Sequence, residues 1–99
     1  MKPAIVSSDA EEDIAEARDY YRRSRGKGAA ENLLRSLYGA FQRIAAHPAR
    51  GLLRPEIRDG LRSVLVPNYV TFYEDHDKHV YIARVIHQRR DLKKAFDEE

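Results

Sequence analysis

Ninety-nine residues, 42% apolar and 34% charged, describe one globular domain over residues 1–99 with a densely charged surface, and exclude a disordered tail. The formal net charge is only +2, there is no cysteine, and no apolar run approaches the ~18 residues of a membrane-spanning helix, which excludes a disulfide framework, thiolate chemistry and a helical anchor. Met1 to Val6 does not read as a signal peptide, so a cytoplasmic protein is predicted.

Ala4-Ile5-Val6 is β-leaning and predicts a short edge strand. Ser8-Asp9-Ala10-Glu11 reads as a capping box, with Ser8 as the cap, and Asp9, Glu11, Glu12 and Asp13 suit the positive end of a helix dipole. Ala10, Ile14, Ala17 and Tyr21 then recur at helical spacing, one apolar stripe on a helix running to about Ser24. Arg25-Gly26-Lys27-Gly28 is a turn. A second stripe follows at Ala30, Leu34, Leu37, Phe41 and Ile44, widened by Leu33, Tyr38 and Ala45, and His47-Pro48 stops it because the residue before proline resists the α region. Two stripes joined by a short turn predict an antiparallel helical hairpin.

After Pro48 the period changes. Gly51 and Pro55 punctuate a loop, Leu61 to Val66 is a strand, Pro67-Asn68 a turn, and Tyr69 to Glu74 a second strand rich in β-branched and aromatic residues. Asp75-His76-Asp77-Lys78 is a polar hairpin loop. Val80 begins a strand with apolar residues on both faces: Val80, Ile82, Arg84 and Ile86 on one, Tyr81, Ala83, Val85 and His87 on the other. Such a strand is central in its sheet. Asp91 can cap a last short helix from Leu92 to about Asp97. The class is therefore α+β: an N-terminal strand, a helical hairpin packed on an antiparallel meander, and a short C-terminal helix. Ile14, Tyr21, Leu34, Leu37, Phe41 and Ile44 are expected to share one core with Val70, Phe72, Val80 and Ile82.

The charge is uneven. Arg35, Arg43, Arg50, Arg54, Arg58 and Arg62 face only Glu56 and Asp59 between Arg35 and Pro67, while the chain ends on Asp97-Glu98-Glu99. A basic middle suits nucleic acid or an acidic partner; a solvated and salt-bridged surface is the plainer reading. Histidines 47, 76, 79 and 87 are scattered, without a His-x-x-x-His pair, so no metal site is predicted. Gly26 and Gly28 join two helices and make no phosphate loop, and no cofactor is predicted.

Several stretches taken together resemble toxins of the ParE/RelE superfamily. They are Ser8 with Asp13-Ile14 and Tyr20, Ala46-His47-Pro48, Gly60-Leu61-Arg62-Ser63, Asn68 to Tyr73, and above all Arg84-Val85-Ile86-His87-Gln88-Arg89-Arg90-Asp91-Leu92. The last resembles the ParE branch more than the RelE branch. The resemblance runs from about Pro3 to Leu92 and rests on order and spacing, since no single motif is specific. It implies the toxin half of a two-gene toxin–antitoxin system, held silent by a small antitoxin, here ParD-like. ParE-like toxins inhibit DNA gyrase by binding; RelE-like toxins cut messenger RNA in the ribosome.

Metal-free RNA cleavage needs a base, an acid and cations on the phosphate. His87 could be base or acid, Arg84, Arg89 and Arg90 could hold phosphate, and Tyr69, Tyr73 and Tyr81 could stack bases. RelE-like nucleases also carry a tyrosine or histidine after the arginine cluster. Asp91 to Glu99 contains neither, and Phe96 stands near that place. Arg84, His87, Arg89 and Arg90 are therefore expected to bind the target without breaking bonds. The purely structural alternative has His87 satisfying a carbonyl, Arg84 paired with Asp13, Glu16 or Glu56, and Asp91 bridged to its neighbours. Gyrase inhibition is the expected function; the alternatives are a ribosome-dependent endoribonuclease and a non-toxic relative that keeps the antitoxin. The antitoxin is expected on an apolar groove outside the hairpin, formed by Tyr20, Leu33, Tyr38, Leu52 and Leu53 and bordered by arginines that include Arg43, Arg54 and Arg58.

Overall fold

The computed structural model describes residues 1–97 as strand β1 (Ala4–Val6), helices α1 (Ser8–Arg25) and α2 (Lys27–Ala46), a 3-10 turn at Pro48–Arg50, strands β2 (Leu52–Leu53), β3 (Leu61–Val66), β4 (Tyr69–Asp75) and β5 (Val80–His87), and helix α3 (Leu92–Asp97). Glu98 and Glu99 of the expected acidic end lie outside the described residues. The hairpin of α1 and α2 lies on one face of a sheet ordered β1-β5-β4-β3-β2. β1 runs parallel to β5 and every other pairing is antiparallel, so the expected α+β meander carries one parallel edge strand. β2, in the stretch read as loop, pairs with β3 through Leu52 and Leu53. No helix among the described residues is long and apolar enough to cross a membrane.

The cap of α1 is Ser7, not Ser8. Ser7 is extended, its Oγ accepts from the Ala10 amide at 3.0 Å, and the same hydroxyl donates to the Ala83 carbonyl at 2.8 Å. A buried serine that caps a helix and ties it to β5 satisfies two backbone groups at once, and that tertiary bond decides between neighbouring serines. Gly26 alone separates the two helices. Its φ of 94° lies in the region open to glycine; its N–H donates to Arg22 O and its carbonyl accepts from Ala30 N.

The α1 stripe is buried as expected at Ala10, Ile14, Ala17 and Tyr21. On α2 the buried side is Leu33, Leu37, Ala40 and Ile44 with Phe41, while Leu34 is only half-buried. Leu33 and Leu34 both keep helical spacing from Ala30, so only the position of the sheet chooses between them.

There are two cores, not one. The first lies between hairpin and sheet and takes Val66, Tyr69, Tyr73, Val80, Ile82 and Val85 from the strands. The second lies on the far face, where Leu61, Val70, Phe72, Ala83 and Ile86 pack beneath Ala95 and Phe96 of α3. Val70 and Phe72 therefore point away from the helices. The alternation along β5 is also broken: Phe72 pairs with Arg84 and Tyr73 with Ile82, which leaves Ala83 as an extra residue. Such a bulge exchanges the faces of everything beyond it. Val80, Ile82 and Val85 consequently face the helices, and Ile86 faces α3.

Candidate functional site

β1 is shorter than β5, so part of the β5 edge needs other partners. Beyond Val6, the Ser7 amide donates to Ile82 O at 3.0 Å and Asp13 Oδ2 accepts from Val85 N at 2.9 Å. The start of α1 thus replaces the missing strand. Asp13 also takes a two-pronged contact from Arg84, Nε to Oδ2 at 2.7 Å and Nη2 to Oδ1 at 3.0 Å, while Arg84 Nη1 donates to Ala95 O at 3.1 Å. Both side chains are nearly buried, at 11% and 10% exposure. Arg84 is therefore not part of an exposed basic cluster. It joins α1, β5 and α3, the first of the carboxylate pairings expected for it.

The bulge places His87 on the helix side, at the end of β5. It pairs across the sheet with Tyr69, ring to ring at 5.2 Å in an edge-to-face contact. Tyr69 meets Tyr21 at 6.2 Å, and Tyr21 meets Tyr20 at the same distance. A short aromatic row thus runs from α1 to the end of β5. Burial pushes the Tyr69 phenol pKa up. Asn68, at a φ of 71°, follows Pro67 in the β3–β4 turn, donates from Nδ2 to Tyr21 Oη at 3.0 Å, and accepts from Gln88 N at 2.9 Å. It locks the hairpin tip against this row. Sequence reasoning noted the turn but missed that role; the signal was asparagine after proline, the residue that tolerates a left-handed turn position.

A cleft of about 140 Å³ opens here, with Glu16, Tyr20, Tyr69, His87 and Arg90 around it. The Arg89 amide donates to His87 Nδ1 at 3.1 Å, and the Arg90 amide to His87 O at 3.0 Å. With Nδ1 accepting, the neutral ring carries its proton on Nε2. His87 thus offers a donor outward and has no free lone pair for proton abstraction. Arg89 is exposed beside it. Asp91 caps α3 through Lys94 N at 3.1 Å. Phe96 is buried on the opposite face, edge-on to Phe72 at 5.3 Å and under the Arg58 guanidinium at 4.6 Å.

The structure brings His87 and Arg90 together with Tyr20, which was expected on the antitoxin side, and separates them from Arg84. The expected row of stacking tyrosines does not form. Tyr73 is buried beneath the hairpin, donating to Pro48 O at 2.7 Å and accepting from Gly51 N at 2.9 Å, and Tyr81 is half-buried on the far face. The outer groove is rearranged as well. Tyr20 and Tyr38 are exposed at 54% and 47%, but Leu33 is in the core at 6%. Arg54 lies over Phe72 and pairs with Glu56, and Arg58 pairs with Glu74, so both sit with the second core and not along the hairpin. Arg43 does lie on α2, beside a separate cleft. Among the described residues no three His, Asp or Glu side chains converge to hold a metal.

Comparison with known proteins gives consistent likenesses. A family described as the ParE toxin of type II toxin–antitoxin systems matches residues 4–92. Toxin ParE1 of Mycobacterium tuberculosis is 37% identical over 68 residues, covering 68% of this chain and 69% of that protein. Toxin ParE1 of Caulobacter vibrioides is 32% identical over 88 residues, covering 89% and 91%. A solved chain from the chromosomal ParDE toxin–antitoxin system of P. aeruginosa superposes with a TM-score of 0.77 over 88% of this chain and 96% of its own, at 17% identity, a likeness of fold.

Proposed function

The chain belongs to the ParE toxin family of type II toxin–antitoxin systems, and from that premise we propose that it inhibits DNA gyrase by binding in the cytoplasm, and that a cognate ParD-like antitoxin neutralises it. The observation that carries a binding mechanism is the state of His87. Its Nδ1 is occupied by the Arg89 amide. Its cleft neighbours are two tyrosines, Arg90 and the carboxylates of Asp13 and Glu16, the first of them already engaged by Arg84 and the Val85 amide, and the Phe96 ring lies buried on the other side of the sheet. Surface recognition through Tyr20, His87, Arg89 and Arg90 fits that arrangement better than in-line attack on a phosphodiester, which needs a base and an acid converging on one phosphate.

The test is a supercoiling assay with purified gyrase beside a cleavage assay on programmed ribosomes. Inhibited supercoiling and intact messenger RNA are expected. Codon-specific cuts would establish the nuclease alternative, and no effect in either assay would establish the non-toxic one. His87→Ala should weaken gyrase inhibition only several-fold; a loss of ~10²–10⁴, the scale of a removed general acid or base, contradicts a binding mechanism.

A further inference from the structure

The aromatic row from α1 to the end of β5 gathers cations that lie far apart in the chain. Arg22, Arg23 and Arg25 fill the last turn of α1, and all three are exposed. Lys27 follows, and no acidic side chain stands between Asp19 and Glu31. The Arg25 guanidinium lies over the Tyr21 ring, 4.9 Å from its centre. Tyr21 touches Tyr69, and Tyr69 touches His87, so the helix end and the strand end form one edge of the molecule. Gln88 and Arg89, both exposed, extend that edge from the strand side.

This edge is rich in hydrogen-bond donors. His87 presents its Nε2–H, and the guanidinium groups of Arg23, Arg25 and Arg89 donate but cannot accept. Tyr20 stands between the two cationic arms, packed edge-on against Tyr21 yet 54% exposed. Arg23 follows Tyr20 by three residues and shares its helix face. The acids of the same elements are engaged elsewhere or set back. Asp19 pairs with Arg18, Asp91 accepts from the Lys94 amide, and Asp13 is held by Arg84 and the Val85 amide. Glu16 lines the cleft well before Arg25 in the helix, about 13 Å back at 1.5 Å per residue.

Resting on the gyrase reading above, we propose that this edge lies on the sugar–phosphate backbone of the DNA duplex that gyrase holds, with Arg23, Arg25 and Arg89 on phosphate oxygens and the Tyr20 ring against the sugars between them. Charge and donor pattern select the occupant. A phosphodiester backbone offers acceptors alone, whereas a protein surface mixes its carboxylates with donors that these groups would leave unpaired. Arginine fits phosphate in a two-pronged way, and an interleaved aromatic ring adds contact that is indifferent to sequence. Glu16 marks the limit of the footprint, because a carboxylate repels phosphate. The toxin thus grips the protein–DNA complex and not gyrase alone.

The test measures the affinity of the full chain for purified gyrase alone and for gyrase carrying a linear DNA duplex, each across a salt series. The complex should be bound roughly tenfold more tightly than gyrase alone, with a steeper salt dependence. Arg23→Gln and Arg25→Gln should each remove about one unit of the logarithmic salt slope, and should weaken binding to the complex several-fold, more than binding to gyrase alone. Glu16→Gln should tighten binding to the complex. Thermal melts check that each variant is folded. Equal affinity for gyrase with and without DNA, or an unchanged salt slope in both arginine variants, overturns the DNA contact while the gyrase reading stands. No binding to either form of gyrase overturns both. If a single-stranded RNA of the same length is bound more tightly than the free duplex, the edge is an RNA interface and the proposal is wrong.

Discussion

Tyr73 shows how one side chain can dictate the residue opposite it. Its hydroxyl donates to Pro48 O and accepts from Gly51 N, fastening the turn after α2 to the sheet. A Cβ on Gly51 would sit 2.1 Å from that oxygen, so this glycine is required by close approach. Burial raises the Tyr73 pKa above its ordinary value of 10.0, as it does for Tyr69. A raised pKa means that the folded chain keeps a proton the unfolded chain gives up. The associated stability is complete below about pH 10 and is lost as pH rises through the folded value. The melting temperature should therefore fall on the alkaline side, and Tyr69→Phe should make that fall shallower in a pH series of thermal melts. An equally deep fall would mean that the Tyr69 phenol does not drive it. Thr71 offers the opposite case. Its side-chain oxygen is buried without a hydrogen-bond partner, and Thr71 pairs with Val85 and Val64. Thr71→Val keeps the shape and removes the stranded hydroxyl, and should stabilise the fold by about 1 kcal/mol in urea unfolding.

At the level of elements, the junction of α1 and β5 carries an unusual duty. α1 continues the edge that the three-residue β1 leaves uncovered, with Ser7 on Ile82 and Ala83 and Asp13 on Val85. Asp13 also neutralises Arg84, whose third bond holds α3 at Ala95. Removing the carboxylate takes the counter-charge from a nearly buried guanidinium and the acceptor from a strand amide together. Asp13→Ala should cost about 3–5 kcal/mol, the scale for breaking a buried pair from one side. Replacing both partners with apolar residues should recover part of that loss, measured in a double-mutant cycle. If Asp13→Ala costs under ~1 kcal/mol, the pair behaves like a surface bridge and the junction is held by packing alone.

For the molecule as a whole, the two cores are unequal. The first is sealed by two long helices, with Leu37 and Ala10 wholly buried. The second is covered by the six residues of α3, through Ala95 and Phe96 with Leu92 beside them. A short helix held by a few apolar anchors opens at lower free energy than the sheet beneath it. Hydrogen exchange should show the α3 amides exchanging faster than those of β4 and β5. Leu37→Ala should reduce protection throughout, at about 2–5 kcal/mol. Equal protection of α3 and β5 would mean that both faces unfold as one unit.

The sequence by itself determined β1, the hairpin, the strands from Leu61, Tyr69 and Val80, and the α3 cap at Asp91, while missing β2, because prolines and apolar periods act within a few residues and a two-residue strand has no period. It also offered Asp13, Glu16 and Glu56 as partners for Arg84, since a cation on an apolar strand requires a counter-charge nearby, and only the fold chose Asp13. Other features waited for the fold, among them the Ser7 cap and the division into two cores. The Ala83 bulge moved His87 and Val85 to the helix side and Ile86 to the other, and one extra residue has no periodic signature. The choice of Leu33 over Leu34 depended on where the sheet lay beneath two equally spaced leucines. The grouping of His87 with Tyr20, and of Arg43 with His47 and Arg50, depended on how a helix sits over strands far away in the chain. Local spacing decides which face a residue takes within its element, and only packing between elements decides what that face meets.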